Sequence, residues 1–159
     1  MSRSARIVAL VLALVGGGGC KQPKQPKPPA GASLEVTLAP SERSNGGRPV
    51  YVVIRRIDQK TFDAEQYGDI TPLVTELDET VIGIVLAFPC KTVRRSFAVE
   101  KLPEQIGVYG LFTAPDDERW RLTIAGPSPR LRFELDVGSI VEARKQGGRR
   151  RDRCPGGGG

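Results

Sequence analysis

The stretch Leu131-Arg132-Phe133-Glu134-Leu135-Asp136-Val137 alternates apolar and charged residues without a break. A period of two places Leu131, Phe133, Leu135 and Val137 on one face of a strand and the three charges on the other. The same pattern stands upstream, where Leu34, Val36 and Leu38 alternate with Glu35 and Thr37. Between these two segments, Val50 to Ile57 is rich in β-branched residues and includes Tyr51, which marks another strand. Val81 to Phe88 is apolar enough for a buried strand, and Pro89-Cys90-Lys91 turns the chain. Val93 to Val99 returns with Val93, Phe97 and Val99 inward. Gly107 to Phe112 is a further strand. Trp120, Leu122 and Ile124 share a face of the next one, and Ile140 to Ala143 closes the sheet.

Thr61 to Leu77 breaks this rhythm. Ile70, Leu73, Val74 and Leu77 have helical spacing, while Gly68 and Pro72 prevent a long helix. One or two short helical turns are expected there. Many short strands separated by turn signals predict a mainly β domain, a sandwich or barrel, with a short helical insertion.

The ends of the chain read differently. Arg3 and Arg6 precede the uncharged apolar run Ile7 to Val15, then Gly16 to Gly19 and Cys20. The run is too short for a membrane-spanning helix, which needs about 20 apolar residues. It fits a secretory leader, and the small residues before Cys20 fit a bacterial lipobox. We therefore expect a signal peptide over 1–19 and a covalent lipid, such as palmitate, on Cys20. A proline- and lysine-rich linker follows to residue 33, then a β domain over 34–143 and a basic, glycine-rich tail over 144–159. The linker KQPKQPKPPAGA favours extended conformations and reaches roughly 35 Å. Lys21 follows the cysteine, where an aspartate tends to retain lipoproteins in the inner membrane. The expected location is the periplasmic face of the outer membrane.

Charge and composition narrow the function. The chain carries a formal net charge of +6, but its leader, linker and tail hold that excess. Pro28 to Ala143 has 13 basic and 17 acidic residues, so the domain itself repels phosphates and a nucleic-acid partner is not expected. There is no histidine, which removes the usual general base and the commonest metal ligand. Asp116-Asp117-Glu118 reads as a solvated turn, and Trp120 as core. No catalytic residue, metal site or cofactor is expected beyond the lipid. Once Cys20 is acylated, Cys90 and Cys154 remain as two thiols in an oxidising compartment, either bridged or free.

The serial order of these features resembles the TssJ (SciN) lipoproteins of the type VI secretion system. Gly47-Arg48-Pro49 precedes the strand Val50 to Ile57, and Phe62 lies in the helical stretch after it. Pro89-Cys90-Lys91 stands where that family usually has Pro-Gly-Glu. Ile106-Gly107-Val108, Phe112, Trp120-Arg121 and the alternating Leu131 to Val137 complete the match. The resemblance implies a transthyretin-like β-sandwich and a structural role in the secretion membrane complex. It also implies that the loop between the first two strands (Ser41, Glu42, Arg43, Ser44, Asn45, Gly46, Gly47 and Arg48) contacts the periplasmic domain of a TssM-type inner-membrane protein. The alternative is a periplasmic lipoprotein that binds a peptide or glycan through a sandwich edge or loop.

Overall fold

The computed structural model describes residues 31–143 and Cys154. The leader, Cys20, most of the linker and the rest of the tail lie outside the described residues. Among the described residues, eight strands form two four-stranded sheets. Sheet A has the order β4-β1-β7-β8, built from β4 (Val93–Val99), β1 (Ala32–Pro40), β7 (Arg130–Leu135) and β8 (Ile140–Glu142). Sheet B has the order β3-β2-β5-β6, built from β3 (Val81–Ala87), β2 (Val50–Arg56), β5 (Gln105–Leu111) and β6 (Arg121–Ala125). All neighbouring strands are antiparallel except β1 and β7, which run parallel at the centre of sheet A. This is the two-sheet sandwich that the strand pattern and the family resemblance predict.

The alternating residues do what their period requires. Val36 and Leu38 of β1 pair with Leu131 and Phe133 of β7, Leu34 pairs with Phe97 of β4, and Leu34, Val36, Leu38, Leu131 and Phe133 are buried. They face Val52, Ile54, Val85, Ile106 and Val108 of sheet B, which are buried in the same core. The Phe97 ring of β4 packs directly against Gly83 of β3. A Cβ at Gly83 would stand 2.0 Å from the Phe97 ring, so only glycine lets the two sheets close at that corner.

The helical insertion covers part of the outer face of sheet B, over Val53 and Tyr109. Asp58 caps helix α1 (Gln59–Ala64) by accepting the Thr61 N–H at 2.9 Å. This bond holds the Asp58 carboxyl below the usual carboxylate range. Gln66 and Asp69 form a capping box on helix α2 (Tyr67–Ile70), and Pro72 opens the 3₁₀ turn Thr71–Val74. Phe62, Ile70 and Leu73 are buried against this face of the sheet.

Four local expectations are corrected. Leu77 does not join the helical stripe; it lies past the last turn and is 67% exposed. Trp120 does not share a face with Leu122 and Ile124. It sits in the turn before β6, and its ring meets Tyr67 at 5.0 Å and Tyr109 at 5.9 Å on the helix-covered side. Val137 lies beyond β7, in the turn to β8, and is exposed. The run from Val81 to Phe88 is not buried throughout: β3 is an edge strand, with Val85 and Ala87 buried and Leu86 and Phe88 exposed.

Candidate functional site

The strand registers sort the loops between two ends of the sandwich. At one end the chain enters β1, next to Val99 at the close of β4 and near Arg130 at the start of β7. At the far end stand the β1–β2 loop, the β3–β4 turn, the β5–β6 loop and the β7–β8 turn. The nine residues of β1 hold these ends roughly 30 Å apart.

The β1–β2 loop is bound into this far end by its own side chains. Ser41 N–H donates to Leu135 O at 2.8 Å, and Ser41 Oγ donates to Asp136 Oδ1 at 3.1 Å. A 3₁₀ turn over Ser44–Gly47 then bends the chain through left-handed conformations at Asn45 (φ 51°) and Gly46 (φ 63°). Asparagine and glycine tolerate that region better than other residues, which accounts for the Asn-Gly pair. Asn45 is 5% exposed, and both ends of its side-chain amide are bonded. Its Nδ2 donates to Pro49 O at 2.6 Å, and its Oδ1 accepts the Thr113 N–H at 2.6 Å. Asn45 thereby ties the β1–β2 loop to the β5–β6 loop.

The β7–β8 turn joins the same platform. Asp116 N–H donates to Gly138 O at 3.0 Å, and a Cβ on Gly138 would lie 2.3 Å from Ala114 O. Glycine is required where these two backbones touch. Arg119 forms an ion pair with Asp116, and its carbonyl accepts the Ile140 N–H at 2.8 Å. Three loops distant in sequence are therefore one rigid surface.

The eight loop residues do not play one role. Ser44 and Asn45 are buried, and Asn45 holds the loop in place through its side-chain bonds. Ser41 is half-buried and bonded to Asp136. Glu42, Arg43, Gly46, Gly47 and Arg48 are exposed on the platform. Deleting Ser41 to Gly47 would remove Asn45 and loosen the other loops, so point substitutions test the surface better.

Asn45→Ala removes the acceptor of Thr113 N–H and the donor to Pro49 O, and leaves alanine in a left-handed backbone. A loss of about 2–4 kcal/mol is expected, read as a fall in Tm of about 10 °C. Ser44 Oγ is buried without a hydrogen-bond partner among the described residues. Ser44→Ala should therefore shift stability by less than about 1 kcal/mol. Similar Tm values for the two variants would contradict the scaffold assigned to Asn45.

The β3–β4 turn lies at the same end. Lys91 N–H donates to Phe88 O at 3.1 Å across Pro89 and Cys90, with Cys90 at φ 62°. Cys90 is joined to Cys154 by a disulfide, with Cα atoms 5.3 Å apart. This fastens Cys154 to the far end of the sandwich.

A second polar cluster lies between the helices and sheet B. Arg55 Nη1 meets Glu65 Oε1 at 2.7 Å, its Nε donates to Thr80 Oγ1 at 2.9 Å, and Asp78 lies 3.3 Å from Nη2. The hydrogen bond from Thr80, aided by Arg55, holds the Asp78 carboxyl below its usual range. Tyr109 Oη donates to Glu65 Oε2 at 2.5 Å. Burial, with Glu65 beside it, pushes the Tyr109 hydroxyl well above the usual tyrosine range. Arg121 Nη1 donates to the carbonyls of Phe62 and Glu65, capping the end of α1, while its guanidinium lies over the Phe62 and Trp120 rings. These groups are saturated by one another, and they fasten the insertion. The sequence reading missed this cluster, because Glu65 and Tyr109 are 44 residues apart. A shallow depression beside it is lined by Phe62, Asp63, Glu118, Arg121, Leu122 and Thr123.

Among the described residues, no group of three or more Asp, Glu, Cys or His side chains is placed to hold a metal. No helix among them is long and apolar enough to cross a membrane.

The described residues thus form a two-sheet sandwich with a helical cover on one face and a cross-braced loop platform at one end. The chain belongs to the family of the IglE N-terminal domain, whose family model matches residues 51–136. Solved structures share the fold. The T6SS lipoprotein TssJ1 from Pseudomonas aeruginosa aligns with a TM-score of 0.56 at 15% identity, over 73% of this chain and 99% of that one. Serratia marcescens Lip, a membrane-bound component of the type VI secretion system, aligns with a TM-score of 0.55 at 14% identity, over 73% and 99%. A chain in the structure of the T6SS protein TssM C-terminal domain (869-1107) from EAEC aligns with a TM-score of 0.57 at 20% identity, over 70% and 98%. No curated protein matches the chain. The resemblance to TssJ lipoproteins read in the sequence is borne out.

Proposed function

We propose that this protein is the lipid-anchored lipoprotein of a type VI secretion membrane complex, held by Cys20 at the periplasmic face of the outer membrane. Its far-end platform docks the periplasmic domain of a TssM-type inner-membrane protein. The supporting observation is the polarity of the sandwich. The chain enters β1 at one end, and β1 delivers the braced β1–β2 loop to the other, roughly 30 Å away. A lipid at the N-terminal end therefore presents the loop away from the membrane. Family membership and the shared fold of the type VI lipoproteins support the same reading.

Within the loop, Glu42 and Arg48 are exposed charges of opposite sign on a rigid frame. Reversing both, as Glu42→Arg with Arg48→Glu, leaves the Asn45 bonds intact. The expected result is a Tm within a few degrees of the parent and a roughly tenfold or greater loss of affinity for the partner's periplasmic domain. Unchanged affinity would move the interface off this loop.

The anchor is tested separately. Cys20→Ser is expected to shift the protein from the membrane to the soluble periplasmic fraction, because two or more acyl chains are needed for stable anchoring. Retention of that variant in the membrane fraction, with no acyl mass on the parent, would defeat the anchor.

A further inference from the structure

Sheet edges expose rows of unpaired main-chain groups, and proteins usually blunt them with charge, bulges or short strands. Three of the four edges here follow that rule. β4 carries Arg94 and Arg95, β8 is three residues long and ends in Glu142, and β6 is short, with five residues against seven in β3. The fourth edge, β3, does not. From Val81 to Cys90 the chain has no charged residue. A register shift opposite Ile54 and Arg55 twists only the start of the strand, leaving Gly83–Ala87 in regular pairing with β2. No other strand pairs with β3 among the described residues, so alternate N–H and C=O groups of this segment point outward.

The edge adjoins exposed apolar surface. Leu86, 38% exposed, pairs across to Tyr51, 43% exposed, which in turn pairs with Leu111. Phe88 extends this row at the far end, and Tyr51 follows Pro49 and Val50 directly out of the docking loop. The unblunted edge and the platform are thus one continuous surface.

The geometry points to β3 as a β-augmentation site: a strand of the partner's periplasmic domain, uncharged along its paired face, adds to sheet B beside Gly83–Phe88. A row of outward main-chain donors and acceptors is matched in register only by another strand, and the apolar row beside it selects apolar alternate side chains. A second copy of this chain fits poorly. Antiparallel pairing of β3 with itself would set the two N-terminal ends roughly 30 Å apart along the strands, so one linker would have to run almost fully extended to bring both lipids to one membrane. This inference rests on the function proposed above, and it assigns that partner a second contact independent of the β1–β2 loop.

The test uses the full mature chain in detergent and the purified periplasmic domain of the TssM-type protein. Leu86→Lys places a charge on the β3 edge of sheet B, and Val141→Lys places one on the β8 edge of sheet A at similar exposure (40%). The expected result is a loss of affinity of roughly tenfold or more for Leu86→Lys and none for Val141→Lys. Amide exchange of the parent in the complex should slow at least about tenfold at residues 83–88 and stay unchanged over Val93–Val99. Lost affinity without slowed exchange would replace strand pairing by a side-chain contact and overturn the proposal. Retained binding that the Glu42/Arg48 reversal abolishes, with β3 exchange unmoved, would overturn it while leaving the docking loop standing. Absence of any binding by the parent would overturn both. Should Leu86→Lys fail to fold, exchange on the parent decides alone.

Discussion

Glu65→Ala is expected to destabilise the domain by about 3–5 kcal/mol, because it strips a buried arginine of its main partner. Arg55 is 11% exposed and Glu65 10%. With Glu65 gone, Arg55 keeps Thr80 and the more exposed Asp78, and the Tyr109 hydroxyl loses its acceptor inside the protein. Urea titration of parent and variant measures the loss, and a change under about 1 kcal/mol would show that the insertion is held by Phe62, Ile70 and Leu73 alone. The same cluster sets an alkaline limit. The folded state holds the Tyr109 proton more tightly than the unfolded chain does. Its contribution is therefore complete below the usual tyrosine value of about 10 and declines as the pH rises above it. Tyr109→Phe should flatten that part of the stability profile.

Removing the disulfide is the second large effect. Cys90 and Cys154 are 64 residues apart, and closing a loop of that size stabilises by about 4 kcal/mol in the chain-entropy model. Denatured, unreduced mature protein should show no reactive thiol. Cys154→Ser should cost up to about 4 kcal/mol. In that background Cys90→Gly should recover about 1 kcal/mol, because position 90 has a left-handed backbone that glycine adopts freely. Cys90→Ser in the same background should not. Two reactive thiols in the parent would contradict the bridge.

The strands were legible because burial on one face leaves a period of two, as in Leu34-Val36-Leu38 and Leu131-Phe133-Leu135. Edge and centre were not legible. The uncharged run from Val81 reads as buried, and only the pairing shows that β3 has a neighbour on one side. Trp120 obeys the alternation in sequence yet leaves the face of Leu122, because a turn intervenes before β6. At the platform, Asn45-Gly46 announced a turn by its chemistry. The partner that makes Asn45 structural, Thr113, is 68 residues away and carries no local signal. The same distance hid the Arg55, Glu65 and Tyr109 cluster, whose members look like ordinary surface charges and a core tyrosine when read along the chain.

The end opposite the lipid is expected to meet the inner-membrane partner. A photo-crosslinking residue placed in cells at Arg48 on the platform, or at exposed Lys101 near the N-terminal end, tests it most directly. A crosslink to the TssM-type protein is expected from position 48 and none from position 101. A crosslink from 101 alone would mean that the sandwich faces its partner with the end assigned here to the membrane.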